Sequence, residues 1–105
     1  METKELNFNI TKAEKSRIDQ LDPQNIVFGS LFTDHMLVAD YANGEWQAPQ
    51  ILPYGKMEFT PALASIHYGQ SIFEGMKAFK SEEDEVFMFR PLENFKRFNI
   101  SAERM

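Results

Sequence analysis

Asn43-Gly44 lies between two apolar runs, Met36-Leu37-Val38-Ala39 and Trp46 to Leu52. A two-residue hairpin loop needs positive φ at both positions, which asparagine and glycine tolerate better than branched residues do. The dipeptide therefore commits this stretch to an antiparallel pair. Pro49 and Pro53 carry no backbone donor, so the returning strand is expected at a sheet edge or irregular.

The remaining pattern extends the antiparallel theme. Leu6, Phe8 and Ile10 alternate with polar residues, as in a short half-buried strand. Lys12 to Gln20 reads as an exposed connection and Asp22-Pro23 as a turn. Ile26-Val27-Phe28 is apolar and is followed by Gly29. Thr60-Pro61 has the chemistry to cap and begin a short helix through Ile66, with Gly69 interrupting. Phe73, Gly75, Lys77 and Phe79 share one strand face. The acidic run Ser81 to Glu85 is a solvated turn, and Val86 to Phe89 returns as the second strand of another hairpin. Pro91 suits a first helical position, and Leu92, Phe95, Phe98, Ala102 and Met105 then recur at helical spacing. That stripe is expected to face a sheet. Ser101 to Met105 carries no glycine, proline or cap, so the chain is read as part of something longer. The fold class is α+β, an antiparallel sheet with flanking helices. Residues 1–24 are read as an N-terminal arm and linker, and residues 25–105 as one incomplete domain.

Composition excludes several classes. Of the 105 residues, 43% are hydrophobic and 26% charged, which fits a folding chain rather than a disordered one. The formal charge of −5 argues against a general nucleic-acid binder. No apolar run reaches the ~20 residues of a membrane span, and Met1 to Leu6 has no apolar leader core. With no cysteine, disulfides and thiolate metal sites are excluded. A cytoplasmic setting is expected. Ten phenylalanines imply a bulky aromatic core or an apolar surface meant for another domain.

Motifs of chemistry are sparse. No glycine-rich phosphate loop and no paired-histidine metal site is present. His35 and His67 are far apart, and Asp34-His35 is best read as a buried hydrogen-bonded corner supporting a turn. Arg97 lies away from the apolar stripe of its helix, near Asn94, Ser101 and Arg104. Spacing alone makes it an exposed ion pair with Glu93, four residues earlier and worth ~0.3–0.5 kcal/mol. A guanidinium is also a fork that grips phosphate oxygens through two parallel bonds.

Three ordered blocks carry a resemblance. They are Phe28-Gly29-Ser30-Leu31-Phe32-Thr33-Asp34-His35-Met36-Leu37 with Gly44-Glu45-Trp46; Ile66 through Phe79, including Tyr68-Gly69-Gln70-Ser71-Ile72-Phe73-Glu74-Gly75; and Phe89-Arg90-Pro91 through Asn94-Phe95-Lys96-Arg97, closing with Ser101 to Met105. Together they resemble the opening part of the branched-chain amino acid aminotransferases, class IV pyridoxal-phosphate enzymes. The resemblance implies the smaller N-terminal domain of the D-amino-acid aminotransferase-like fold, truncated at its C-terminal end. It implies pyridoxal 5'-phosphate as cofactor and Arg97 as a contact to its phosphate. Phe32, Tyr68, Phe73 and Gly75 match substrate-pocket positions. The Tyr68 hydroxyl is expected near the substrate carboxylate, the three rings as apolar wall, and Gly75 where the backbone comes close to substrate.

By the same resemblance the full enzyme moves the amino group of leucine, isoleucine or valine to 2-oxoglutarate, as a homodimer with no nucleic-acid or membrane partner. The lysine that carries the cofactor belongs to a later domain. None of Lys4, Lys12, Lys15, Lys56, Lys77, Lys80 and Lys96 matches it, so no catalytic residue is assigned and the chain alone is expected to be inactive. The alternatives are another class IV enzyme (a D-amino-acid aminotransferase or an aminodeoxychorismate lyase) or a non-enzymatic interaction domain with this fold. In the last case Arg97 is a surface ion pair.

Overall fold

The structure is a computed structural model and describes residues 6–105. Lys4 and most of the Met1–Leu6 segment lie outside the described residues. The chain divides into two compact units, Met1–Met57 and Glu58–Met105.

In the first unit, β1 (Asn9–Ile10), β2 (His35–Val38) and β5 (Gln50–Pro53) form a three-stranded sheet in the order β1-β5-β2. β2 and β5 are antiparallel, with His35 opposite Pro53 and Val38 opposite Gln50. Between them, β3 (Tyr41–Ala42) and β4 (Glu45–Trp46) close the tight hairpin. Its turn is the one the dipeptide demands: φ is +56° at Asn43 and +79° at Gly44. Tyr41 meets Trp46 edge-on, with ring centroids 5.3 Å apart.

The run from Trp46 to Leu52 is not one strand. Gln47 donates its backbone N–H to Asp40, and its side-chain amide bonds the Ala42 and Glu45 carbonyls. These bonds break the ladder before Pro49. The expected edge position also fails, because β5 is the central strand. β1 lies parallel beside it, and Asn9 N–H bonds the Pro49 carbonyl at 3.1 Å. Both prolines therefore occupy ladder ends where an acceptor suffices: Tyr54 N–H, beyond Pro53, bonds the Asp34 carbonyl at 2.9 Å. β1 is an exposed strand rather than a half-buried one, with Ile10 61% exposed. The Asp22 turn forms as expected, its carboxylate accepting from Gln24 N–H and the Asn25 amide.

In the second unit, Thr60-Pro61 makes a turn, closed by Leu63 N–H to the Thr60 carbonyl, instead of capping a helix. Proline at the second position of a four-residue turn explains the difference. Helix α1 begins only at Ala64 and ends at His67, with no side-chain cap at Leu63. Strands β6 (Ala78–Lys80) and β7 (Val86–Met88) form the second hairpin. Ser81 N–H bonds the Glu85 carbonyl, and Lys80 pairs with Asp84 at 2.8 Å. The alternating pattern from Phe73 becomes strand only at Ala78, because Gly75 spends its polar groups on side chains instead of a ladder. Helix α2 (Pro91–Ala102) starts at proline as expected.

Its apolar stripe does not face a sheet. Leu92, Phe95, Phe98 and Met105 remain 37–70% exposed, while Pro91, Asn94 and Ser101 are the more covered positions. Three-residue strands are too small to cover such a stripe, and the polar face makes the specific hydrogen bonds. Among the described residues no whole residue is buried. The described residues therefore have no apolar core of their own, and turns and hydrogen bonds supply the local order. Two outcomes follow. Gly44→Val is expected to weaken the first hairpin by ~1–2 kcal/mol, from the cost of a branched residue at positive φ. Denaturant midpoints check this; an unchanged midpoint contradicts it. The isolated chain is also expected to bind a hydrophobic dye or self-associate, and a compact monomer without dye binding in sedimentation contradicts that.

Candidate functional site

In the second unit, the polar face of α2 meets the Glu74-Gly75 dipeptide. Arg97 donates its Nε–H to Glu74 Oε2 at 2.8 Å and an Nη2–H to Glu74 Oε1, a two-point fork. Asn94, one helical turn earlier, donates its amide to Glu74 Oε1 at 3.2 Å and to the Gly75 carbonyl at 2.8 Å. Gly75 N–H closes on Glu74 Oε1 at 3.1 Å. The Glu74 side chain is 8% exposed and that of Arg97 68% exposed, so the carboxylate is the inner member of the pair.

Electrostatics follow from this geometry. The Arg97 guanidinium, the Asn94 amide and Gly75 N–H draw the Glu74 carboxyl down to about 2, against an opposing effect of partial desolvation. The same carboxylate raises Arg97 further above its ordinary value. The i,i+4 ion pair expected from the helix is not formed. Glu93 instead meets Lys96 at 2.9 Å and Arg90 at 3.7 Å, which leaves Arg97 free to reach across to Glu74.

The residues singled out in the sequence are placed as follows. Arg97 and Gly75 are brought together through Glu74 and Asn94. Phe73 directly precedes Glu74 and is 90% exposed; Tyr68 caps the end of α1 and is 81% exposed. Nothing lies within 4 Å of a side chain built at Gly75. Phe32 belongs to the first unit, where it stacks on Tyr54 at 4.9 Å with the rings 6° from parallel. It lines an open cavity of about 570 Å³ with Arg17, Ile18, Leu21, Leu31 and the Thr33-Asp34-His35 corner. Sequence reasoning missed Glu74 and Asn94 as a working pair. The available signal was the shared face of Asn94 and Arg97, opposite the apolar stripe.

The Asp34-His35 pair forms the hydrogen-bonded corner expected of it, but half-buried rather than buried. Asp34 accepts from the Ser16 hydroxyl at 2.6 Å and Arg17 N–H at 2.7 Å, and these bonds hold its carboxyl below the usual range. His35 Nε2 accepts from Ala13 N–H at 2.9 Å. Arg17 bonds the Thr33 carbonyl and lies over the Tyr54 ring at 5.3 Å. Among the described residues, no cluster of histidine, aspartate or glutamate side chains is able to hold a metal, and no helix is long and apolar enough to cross a membrane.

The depressed Glu74 value sets a pH window. A carboxyl lowered by its partners contributes stability above the ordinary value of 4.5 and loses it as pH falls through about 2. Carboxyl-carbon NMR is expected to show Glu74 ionised down to near pH 2, and Arg97→Met to move its midpoint back toward 4.5. A Glu74 midpoint near 4.5 in the unaltered chain contradicts the fork.

No family model matches the chain. Relatives do. Over 85 residues, 80% of this chain, it is 48% identical to branched-chain-amino-acid aminotransferase 2 of Bacillus subtilis and covers 23% of that protein. It is 51% identical over 85 residues to a probable branched-chain-amino-acid aminotransferase of Staphylococcus aureus, covering 24% of it. It is 44% identical over 81 residues to the cytosolic branched-chain-amino-acid aminotransferase of Saccharomyces cerevisiae, covering 22%. The chain thus spans about a quarter of the length of these relatives. The three sequence blocks and the mixed α+β architecture agree with this: over the matched segment the chain is similar to the N-terminal part of branched-chain aminotransferases.

Proposed function

We propose that this chain is part of a pyridoxal-phosphate aminotransferase that moves the amino group of leucine, isoleucine or valine to 2-oxoglutarate, and that it supplies the phosphate contact and part of the substrate wall. The observation that carries the reading is the 44–51% identity to named branched-chain aminotransferases over about four fifths of the chain. On this reading residues 25–105 belong to the smaller domain of the D-amino-acid aminotransferase-like fold and residues 1–24 form its arm. The enzyme works in the cytoplasm as a homodimer.

The donor set fits a phosphate. A guanidinium has five N–H donors. Glu74 engages Nε and Nη2, and among the described residues no acceptor meets Nη1. The outer edge, both Nη1 protons and one Nη2 proton, remains available to grip two phosphate oxygens. Arg97 thereby anchors the cofactor by its phosphate. When bound, pyridoxal phosphate supplies an electron sink for chemistry at the substrate α-carbon. Phe32, Tyr68 and Phe73 each offer an apolar ring to the substrate side chain, where burying each methylene contributes ~0.8 kcal/mol. The Tyr68 hydroxyl orients the substrate carboxylate, and Gly75 keeps its stretch of backbone open to substrate. The lysine that handles the α-proton is not among this chain's residues.

The test is a chimera in which this chain replaces the matching quarter of the Bacillus subtilis enzyme. The chimera is expected to transaminate leucine with 2-oxoglutarate, and the isolated chain to show no turnover above background. In the chimera, Arg97→Gln is expected to weaken cofactor binding ~10–100-fold, the loss of charge-assisted bonds worth ~1.5–3 kcal/mol. A cofactor-loaded chimera that transaminates none of the three amino acids, turnover by the isolated chain, or unchanged cofactor affinity in the variant overturns the corresponding part of the proposal.

A further inference from the structure

We propose that Glu74 is a positioning residue: braced by Asn94, it fixes the Arg97 guanidinium so that its outer edge is presented to a phosphate, an inference that rests on the phosphate role proposed above for Arg97. Three observations carry it. The Glu74 side chain is 8% exposed, against 68% for Arg97, so the carboxylate is the fixed member and the arginine the one that is held. Glu74 Oε1 is tied by two groups besides Arg97: the Asn94 amide at 3.2 Å and Gly75 N–H at 3.1 Å. Asn94 is itself anchored at the Gly75 carbonyl, 2.8 Å away, which joins α2 to the backbone that carries Glu74.

The physical consequence is preorganisation. A free arginine side chain has many rotamers, and ordering it at the moment of binding costs ~2 kcal/mol of conformational entropy; a chain already held loses less. The fork occupies the Nε–Nη2 edge. It therefore selects which edge of the plane is left for an anion, and the planar guanidinium passes that orientation on without further torsional freedom. Glu74 touches no substrate in this scheme and acts through Arg97. Its charge lies close to the phosphate it helps to place, so a rival role exists on physical grounds. In that role Glu74 occupies the guanidinium as a competitor and is displaced when phosphate binds.

Guanidinium-selective nitrogen NMR of this chain, carried in the cofactor-free chimera described above so that its apolar surface is covered, separates the two. In the unaltered chain Arg97 is expected to show a sharp Nε–H signal with slow rotation about the Nε–Cζ bond. Glu74→Gln, which exchanges a charged acceptor for a neutral one, is expected to speed that rotation about tenfold with the backbone amide fingerprint unchanged. Asn94→Ala leaves both charges in place and is expected to act in the same direction by a smaller factor; it also serves if the glutamine variant fails to fold. Inorganic phosphate is then the probe. The Nη1 signals are expected to shift while the Nε–H signal stays where Glu74 puts it. The proposal is overturned if phosphate moves Nε–H to its Glu74→Gln position, which marks Glu74 as a displaced competitor, or if neither substitution changes Arg97 rotation. If phosphate moves no guanidinium signal while Glu74→Gln still frees the side chain, the phosphate role of Arg97 falls and the fork itself stands.

Discussion

The paired contact between the Glu74 carboxylate and the Arg97 guanidinium ties the long helix of the second unit to the irregular segment before its hairpin. With Asn94 bonded to both Glu74 and the Gly75 carbonyl, it converts a loop into a fixed support. Little else in that unit performs this task. The apolar stripe of α2 is largely solvated, and the strands are three residues long. A surface ion pair contributes little to stability by itself. Here its importance is orientation: one planar cation is held against a carboxylate that the backbone and an amide already fix.

The first unit shows the same logic with different residues. Asp34 gathers the Ser16 hydroxyl and Arg17 N–H, and Arg17 in turn bonds the Thr33 carbonyl and covers the Tyr54 ring. Tyr54 stacks on Phe32, and Phe32 lines a cavity together with the polar corner. In both units a carboxylate accepting several bonds organises an arginine and a nearby aromatic or glycine position. Both carboxyls are lowered by those bonds, Glu74 most of all.

Local rules made much of this fold legible. Positive φ at Asn43-Gly44, the Ser81 to Glu85 turn and proline at the start of α2 are each decided by a few neighbouring atoms, and each appears as expected. Non-local choices were not legible. Nothing in the alternation near Ile10 reveals that it pairs in parallel with β5 and makes that proline-flanked strand central. Nothing in the helical spacing reveals that the polar face docks while the apolar stripe stays exposed. The Glu93–Arg97 expectation failed for the same reason: Glu74, 23 residues away, outcompetes a neighbour four residues away because its carboxylate is already fixed. Arg97 itself was singled out only by resemblance to a family, since spacing alone made it an ordinary surface charge.

The role proposed for Arg97, held by a Glu74 carboxylate that Asn94 braces, is recognition of a phosphate. Comparing pyridoxal phosphate with pyridoxal, which lacks the phosphate, measures that contact most directly. Both compounds are titrated into the cofactor-free chimera and into its Arg97→Gln variant. The unaltered chimera is expected to prefer the phosphorylated compound strongly, and the substitution to narrow that preference by about tenfold or more. An equal preference in the two proteins would contradict the account.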